Sequence, residues 1–128
     1  MTGRRFTFLT LLVLVGACGD SNQSPSGAGD LLVAYSGTGE AGAILLTISG
    51  GPVESVAATG GQQVSSTSPY ANTTKVIVLG DLGNGDLLRM RVPDISQVTQ
   101  YTVRADQVAD KTSFALLDPT RHTFSVHK

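Results

Sequence analysis

An antiparallel β-sandwich is the fold that this 128-residue chain predicts. Three observations lead there. Short apolar and β-branched runs recur along the chain, and each is closed by glycine, proline, asparagine or serine. No stretch combines the i, i+3, i+4 apolar spacing with the capping residues of an amphipathic helix. The intervals between runs are also too short for the crossovers of about a dozen residues or more that a parallel sheet requires. Seven or eight short strands separated by turns therefore imply an all-β, antiparallel sandwich, with residues 31–128 as a single domain.

Each strand is read from its own pattern. Residues 31–36 form a short apolar run that Gly37 ends. In 43–49, Ile44, Leu46 and Ile48 fall on one face, and Gly50-Gly51-Pro52 stops the run. Residues 53–58 follow, ending before Gly60-Gly61, and the β-branched run 73–79 closes at Gly80. Over 87–92 the alternation assigns Leu88, Met90 and Val92 to the core and Arg89 and Arg91 to solvent. Tyr101, Val103 and Ala105 share a face opposite Thr102, Arg104 and Asp106. The chain finishes with 114–117 and with 122–127, where Phe124 and Val126 have the same parity. Ser65-Ser66-Thr67-Ser68 is read as loop, since it offers nothing apolar to a core.

The N-terminus has a different character. Arg4 and Arg5 precede the apolar run 6–15, and Gly16-Ala17 leads into Cys18, the only cysteine. This is the order of a secretory signal, and the run is shorter than the roughly 18 apolar residues of a membrane-spanning helix. Val15-Gly16-Ala17-Cys18 resembles the lipobox of bacterial lipoproteins. That resemblance implies a signal peptide over 1–17, cleavage before Cys18, a diacylglyceryl group on its sulfur, and usually a further acyl chain such as palmitate on the new amino group. Each buried methylene contributes about 0.8 kcal/mol, so two or more chains anchor a protein stably where one does not. Gly19 stands where the family's inner-membrane retention signal in enteric bacteria has aspartate, which implies the outer membrane in a host that has one, and otherwise a cell-surface or periplasmic face. Residues 18–30 are read as the lipidated cysteine and a flexible tether, because serine, glycine, proline and amides cannot offset the entropy of ordering.

Removing 1–17 leaves 111 residues with seven basic and ten acidic side chains, a formal net charge of −3. That is chain enough for one hydrophobic core. The mild acidity argues against nucleic-acid binding, which normally needs a clustered basic surface. With one cysteine no intrachain disulfide forms, so packing alone must hold the fold.

Residues 42–94 also resemble the cohesin-like family of β-sandwiches. The likeness lies in Ala43-Ile44-Leu45-Leu46-Thr47-Ile48-Ser49 leading into Val53-Glu54-Ser55-Val56, and in Gly85-Asp86-Leu87-Leu88-Arg89-Met90-Arg91-Val92. It covers under half the chain. The usual valine-rich opening strand is replaced by 31–36, and no dockerin-like segment is present. The resemblance implies a nine-stranded sandwich, jelly-roll-like or immunoglobulin-like, with a binding role, and it carries no site residues.

Three constellations bear on chemistry. Gly37-Thr38-Gly39-Glu40-Ala41-Gly42 has the G-x-G-x-x-G spacing of dinucleotide-binding turns, but that fingerprint requires a following helix whose N-terminus meets the pyrophosphate. A β-like run follows instead, so the segment is read as an inter-strand loop. In 81–86, a calcium loop would place ligands at Asp81, Gly83 and Gly85, two of which have no side-chain oxygen. Asn84-Gly85 is read there as a hairpin turn. His122 and His127, five apart on a strand, point to opposite faces and are read as surface histidines that share no metal. There is no G-x-S-x-G motif, and tryptophan, the usual sugar-stacking aromatic, is absent.

The expectation is therefore a membrane-anchored lipoprotein, bound to membrane lipid through acylated Cys18. Its sandwich is a non-catalytic protein-binding or structural module of the cell envelope, with no cofactor or metal and an envelope protein as partner. The alternatives are a ligand- or carbohydrate-binding lipoprotein and a small envelope enzyme.

Overall fold

The computed structural model describes residues 26–128, so the signal segment, Cys18 and most of the tether lie outside the described residues. Among the described residues there are nine strands: β1 (Gly29–Ser36), β2 (Ala41–Ser49), β3 (Ser55–Ala58), β4 (Gln63–Tyr70), β5 (Thr73–Leu79), β6 (Gly85–Val92), β7 (Thr102–Asp110), β8 (Leu116–Leu117) and β9 (Thr123–His127). They form two antiparallel sheets, ordered β3-β6-β1-β9 and β4-β5-β2-β7-β8. The sheets pack face to face as a sandwich and do not close into a barrel.

The core is the alternation made physical. Leu31, Val33 and Tyr35 of β1 and Leu88, Met90 and Val92 of β6 turn inward from one sheet. Ile44, Leu46 and Ile48 of β2 and Val76 and Val78 of β5 meet them from the other. Arg89 and Arg91 are exposed, as the pattern of β6 requires.

The ladders slip register at four places, and two of these bulges adjust the phase of the core. Val33 pairs with Leu88 but Ala34 pairs with Asp86, which leaves Leu87 as the extra residue. That slip lets Leu87 and Leu88 both bury, where strict alternation would send one outward. In the other sheet Leu45 pairs with Gln107 and Leu46 with Ala105, so Asp106 is the extra residue. Beyond it the inward position becomes Val108.

Several sequence expectations are corrected. The serine run 65–68 is strand, not loop: β4 pairs along β5 with Gln63 opposite Leu79 and Thr67 opposite Lys75. The first strand starts at Gly29, so the last tether residues belong to the domain. Gly27 is itself hooked on, donating to Asp94 Oδ1 at 3.2 Å while Ile95 N–H donates to the Gly27 carbonyl at 2.9 Å. β3 begins at Ser55 rather than Val53, β8 covers only Leu116–Leu117, and β9 starts at Thr123.

Asn84-Gly85 does not close a hairpin, because β5 and β6 belong to different sheets. The segment is a crossover plugged by buried Leu82, and Asn84 Oδ1 accepts from Gly37 N–H at 2.9 Å.

The chain enters at one pole of the sandwich, where Gly29 pairs with Val92 and Ile95 lies against it. Short links place Ser49, Gly50 and Tyr101 at this same pole. The opposite pole holds the β1–β2 arch and the β7–β8 loop, joined where Lys111 N–H donates to the Glu40 carbonyl at 2.8 Å.

Candidate functional site: an apolar face at the far pole

The outer face of the five-stranded sheet carries two apolar rows. Leu79, Ala43, Ala109 and Leu116 lie side by side across four strands, and Ile77, Leu45 and Gln107 form the next row. Ile77 and Leu79 are 46% and 41% exposed, and Leu116 is 72% exposed. The row beyond is polar: Lys75, Thr47 and Arg104, with Asp106 beside them. The face is thus divided, apolar toward the far pole and charged toward the pole where the chain enters.

Phe114 tops the apolar half. It is 81% exposed, and it is the only non-glycine residue with positive φ, at 60°, among the described residues. A bulky side chain in this left-handed region costs about 1–2 kcal/mol, so the surrounding loop must impose it. Asp110 does so. Its carboxylate accepts from Thr112 N–H and Ser113 N–H, both at 2.8 Å, while its carbonyl accepts from Phe114 N–H at 3.1 Å. The hydrogen bonds from Ser113 and then Thr112 hold the Asp110 carboxyl below its ordinary pKa. Between Phe114 and the sheet lies an open hollow of about 610 Å³. Ala43, Leu79 and Ala109 line it, and an ion pair between Lys111 Nζ and Asp81 Oδ1 at 3.4 Å stands at its edge. Gly42 lets the loop sit this close: a Cβ there would press into the Lys111 backbone.

The charged half is a bridged network. Thr47 Oγ1 donates to Asp106 Oδ2 and accepts from Lys75 Nζ at 2.6 Å. Lys75 Nζ lies 3.1 Å from Asp106 Oδ2, and Arg104 Nε 3.3 Å from Asp106 Oδ1. Burial works against ionisation of Asp106, but the bonds from Thr47 and Lys75 and the two cations outweigh it and lower its pKa. The network holds the bulge in place and leaves no reactive group free.

The residues singled out from sequence are scattered. His122 is not a surface histidine: it is 4% exposed and shares a 2.6 Å hydrogen bond through Nδ1 with the Tyr35 hydroxyl. His127 is on the surface, paired with Asp86 at 2.6 Å. The two histidines do not meet. Asp81 pairs with Lys111 and Asp86 with His127, so the 81–86 carboxylates are drawn to different partners. Among the described residues no three His, Cys, Asp or Glu side chains are grouped to hold a metal. In the glycine-rich segment 37–42, β2 starts at Ala41 where a dinucleotide site would need a helix. Arg91 pairs with Asp30 and Glu54, at 3.7 and 4.0 Å. Asp106 lies in the other sheet, and Asp94 is turned to Ser96 and Gly27.

The apolar face was legible only in part. β5 is apolar at both parities, with Val76 and Val78 inward and Ile77 and Leu79 outward, and Leu45 does the same in β2. When one face of such a strand is buried in the core, the other parity presents apolar side chains outward. Phe114 gave no such sign, because its left-handed backbone is imposed by a loop. No protein-family model, curated protein or solved structure matches the chain.

Proposed function

We propose that this chain is a membrane-anchored lipoprotein, acylated at Cys18, whose β-sandwich is a non-catalytic protein-binding module of the cell envelope. The observation that carries the binding role is the exposed apolar face around Phe114, at the pole remote from Gly27. Contiguous apolar surface rimmed by polar groups marks interaction sites, and here it is held out by a strained residue. The titratable clusters, by contrast, are spent on structural pairs. The described chain begins at the opposite pole, near Gly27, which leaves this face at the end remote from the proposed anchor, on the outer membrane or the cell surface.

Labelling with an alkyne palmitate analogue tests the anchor. The wild-type chain should take up label, and Cys18→Ser should lose it and accumulate as precursor. Persistent label on the serine variant overturns the lipoprotein reading. Photo-crosslinking from position 114, compared with position 57 on the opposite sheet, tests the binding role. Equal yields from both positions would refute it.

A second reading is favoured by the hollow beside the Asp81–Lys111 pair, whose apolar floor and charged rim suit a small amphipathic ligand.

A further inference from the structure

We infer that the hollow between the β1–β2 arch and the turn at 119–121 binds a small dipolar molecule, one that carries both an ammonium and a carboxylate. The site lies apart from the apolar face and does not depend on the binding role proposed above.

His122 marks the site. It is 4% exposed, and its Nδ1 is taken by the Tyr35 hydroxyl. The two nitrogens lie on opposite sides of the imidazole ring, so Nε2 faces away from Tyr35. Nε2 has no hydrogen-bond partner among the described residues, where every fully enclosed side-chain nitrogen or oxygen has one. It is therefore open to the surface, on a residue whose remainder is sealed in. The hollow it meets measures about 240 Å³ and is lined by Thr38, Glu40, Leu117, Asp118, Arg121 and His122 itself. The charges that act on the imidazole, Asp118 and Glu40, both stand on this rim. A buried residue that keeps one polar atom unbonded and accessible leaves a place for a ligand to complete the bonding.

The rim also holds unspent charge. Every other side-chain carboxylate among the described residues has a hydrogen bond or an ion pair, and Glu40 has neither. Arg121 is likewise without a partner among the described residues. These opposite charges face one hollow, and no ion pair joins them. A plain cation there would be repelled by Arg121, and a plain anion by Glu40 and Asp118. A molecule bearing both charges satisfies both sides. Its carboxylate suits the guanidinium fork, and its ammonium suits Glu40 and the Asp118 oxygen that does not cap the turn. Nε2 is donor or acceptor according to tautomer, and so serves either end.

The backbone beneath is set in advance. The Glu40 carbonyl accepts from Lys111 N–H at 2.8 Å, which fixes the arch. Asp118 Oδ1 accepts from Thr120 N–H at 3.0 Å and from its hydroxyl at 2.7 Å, and His122 N–H donates to the Pro119 carbonyl at 3.1 Å, which fixes the turn. Binding then orders little beyond the Glu40 and Arg121 side chains. At about 240 Å³ the space is smaller than the roughly 300–1,000 Å³ of sites for drug-sized ligands, so the occupant is about the size of an amino acid.

The test uses the full chain in mild detergent. The probes are glycine, L-alanine, β-alanine and γ-aminobutyrate, which differ in the separation of their two charges, with ethylammonium and propionate as singly charged controls. At least one of the four should raise the melting temperature saturably and shift the imidazole resonances of His122 but not of His127. Neither control should do so. Glu40→Gln and Arg121→Gln, both at exposed and unpaired positions, should keep the melting curve without ligand and each weaken the binding roughly tenfold. Arg89→Gln, an exposed arginine outside the hollow, should leave it unchanged. No saturable response to any of the four overturns the inference. So does an equal response to one of the controls, binding that leaves the His122 resonances unmoved, or binding indifferent to both glutamine variants.

Discussion

The Tyr35 hydroxyl and His122 Nδ1 lie 2.6 Å apart with their ring planes nearly parallel, joining the end of β1 to the residue before β9. Burial raises the tyrosine pKa. It also lowers the histidine pKa, against the opposing charges of Asp118 and Glu40. The neutral imidazole shares this hydrogen bond with the hydroxyl in either direction, according to which ring nitrogen carries its proton. Gly37 completes the nest, since a Cβ there would overlap the hydroxyl and crowd Nδ1.

Stability should accordingly fall on mild acidification. The unfolded imidazole takes its proton near 6.5 and the folded one only at lower pH, so the contribution is full above 6.5 and is lost between 6.5 and the folded value. His127 acts in the opposite sense. Its hydrogen bond to Asp86 raises its pKa, so its contribution is full below 6.5 and is lost as pH rises through the folded value. Denaturant titrations at intervals from pH 5 to 8 should show the acid-side loss in wild type and its absence in His122→Gln. An unchanged acid limb in that variant assigns the loss to another group.

The core assignment gives the largest expected loss. Leu88 is fully buried, so Leu88→Ala should destabilise by about 2–5 kcal/mol. Arg89→Ser with Arg91→Ser should change stability by no more than about 1 kcal/mol, because the pairs of Arg91 are long and solvent-exposed. Urea midpoints measure both, and a reversed order would invert the facing of β6.

Asp106→Ala removes the acceptor at the second bulge and leaves Thr47 and Lys75 without their shared partner. The expected loss is roughly 1–3 kcal/mol at neutral pH. Because the folded carboxyl titrates below its unfolded value of 3.8, the wild-type advantage is full above that pH and is lost as pH falls through the folded value. Stability curves of the two proteins should converge there.

Phe114→Asn should raise stability by about 1 kcal/mol, since asparagine tolerates the left-handed backbone and the phenylalanine ring contributes little packing when 81% exposed. The same substitution should weaken partner binding through the apolar face. Thermal melts and photo-crosslinking from position 116 read the two effects. A fall in melting temperature would show that Phe114 packs where the structure leaves it open.

A fragment beginning at Ser26 should melt higher than one beginning at Leu31. The shorter piece loses the Gly27 bonds to Asp94 and Ile95, the Gly29–Val92 pairing and the Asp30–Arg91 contact. Equal melting temperatures would place the domain boundary back at residue 31.

The sequence made the sandwich legible because β2, β5 and β6 bury one parity against one core, and that signal is local. It could not show β4, whose serines and threonines have no face to bury and are ordered by pairing with β5. The bulges were equally invisible, since each depends on the partner strand's register. His122 read as a surface residue because nothing nearby in sequence announces Tyr35. What was missed was in each case a relation between distant strands.

The place of β1 bears on the order in which the sandwich can form. β1 is the first of the described strands, yet it lies between β6 and β9, the sixth and the last of them. The local hairpin β4–β5 can zip as soon as it appears, whereas β1 must wait for partners about fifty and ninety residues downstream. Its buried Leu31, Val33 and Tyr35 stay unsheltered throughout that delay. Deleting β9 would leave one edge of β1 permanently bare, making the last of the described strands the latch on the first.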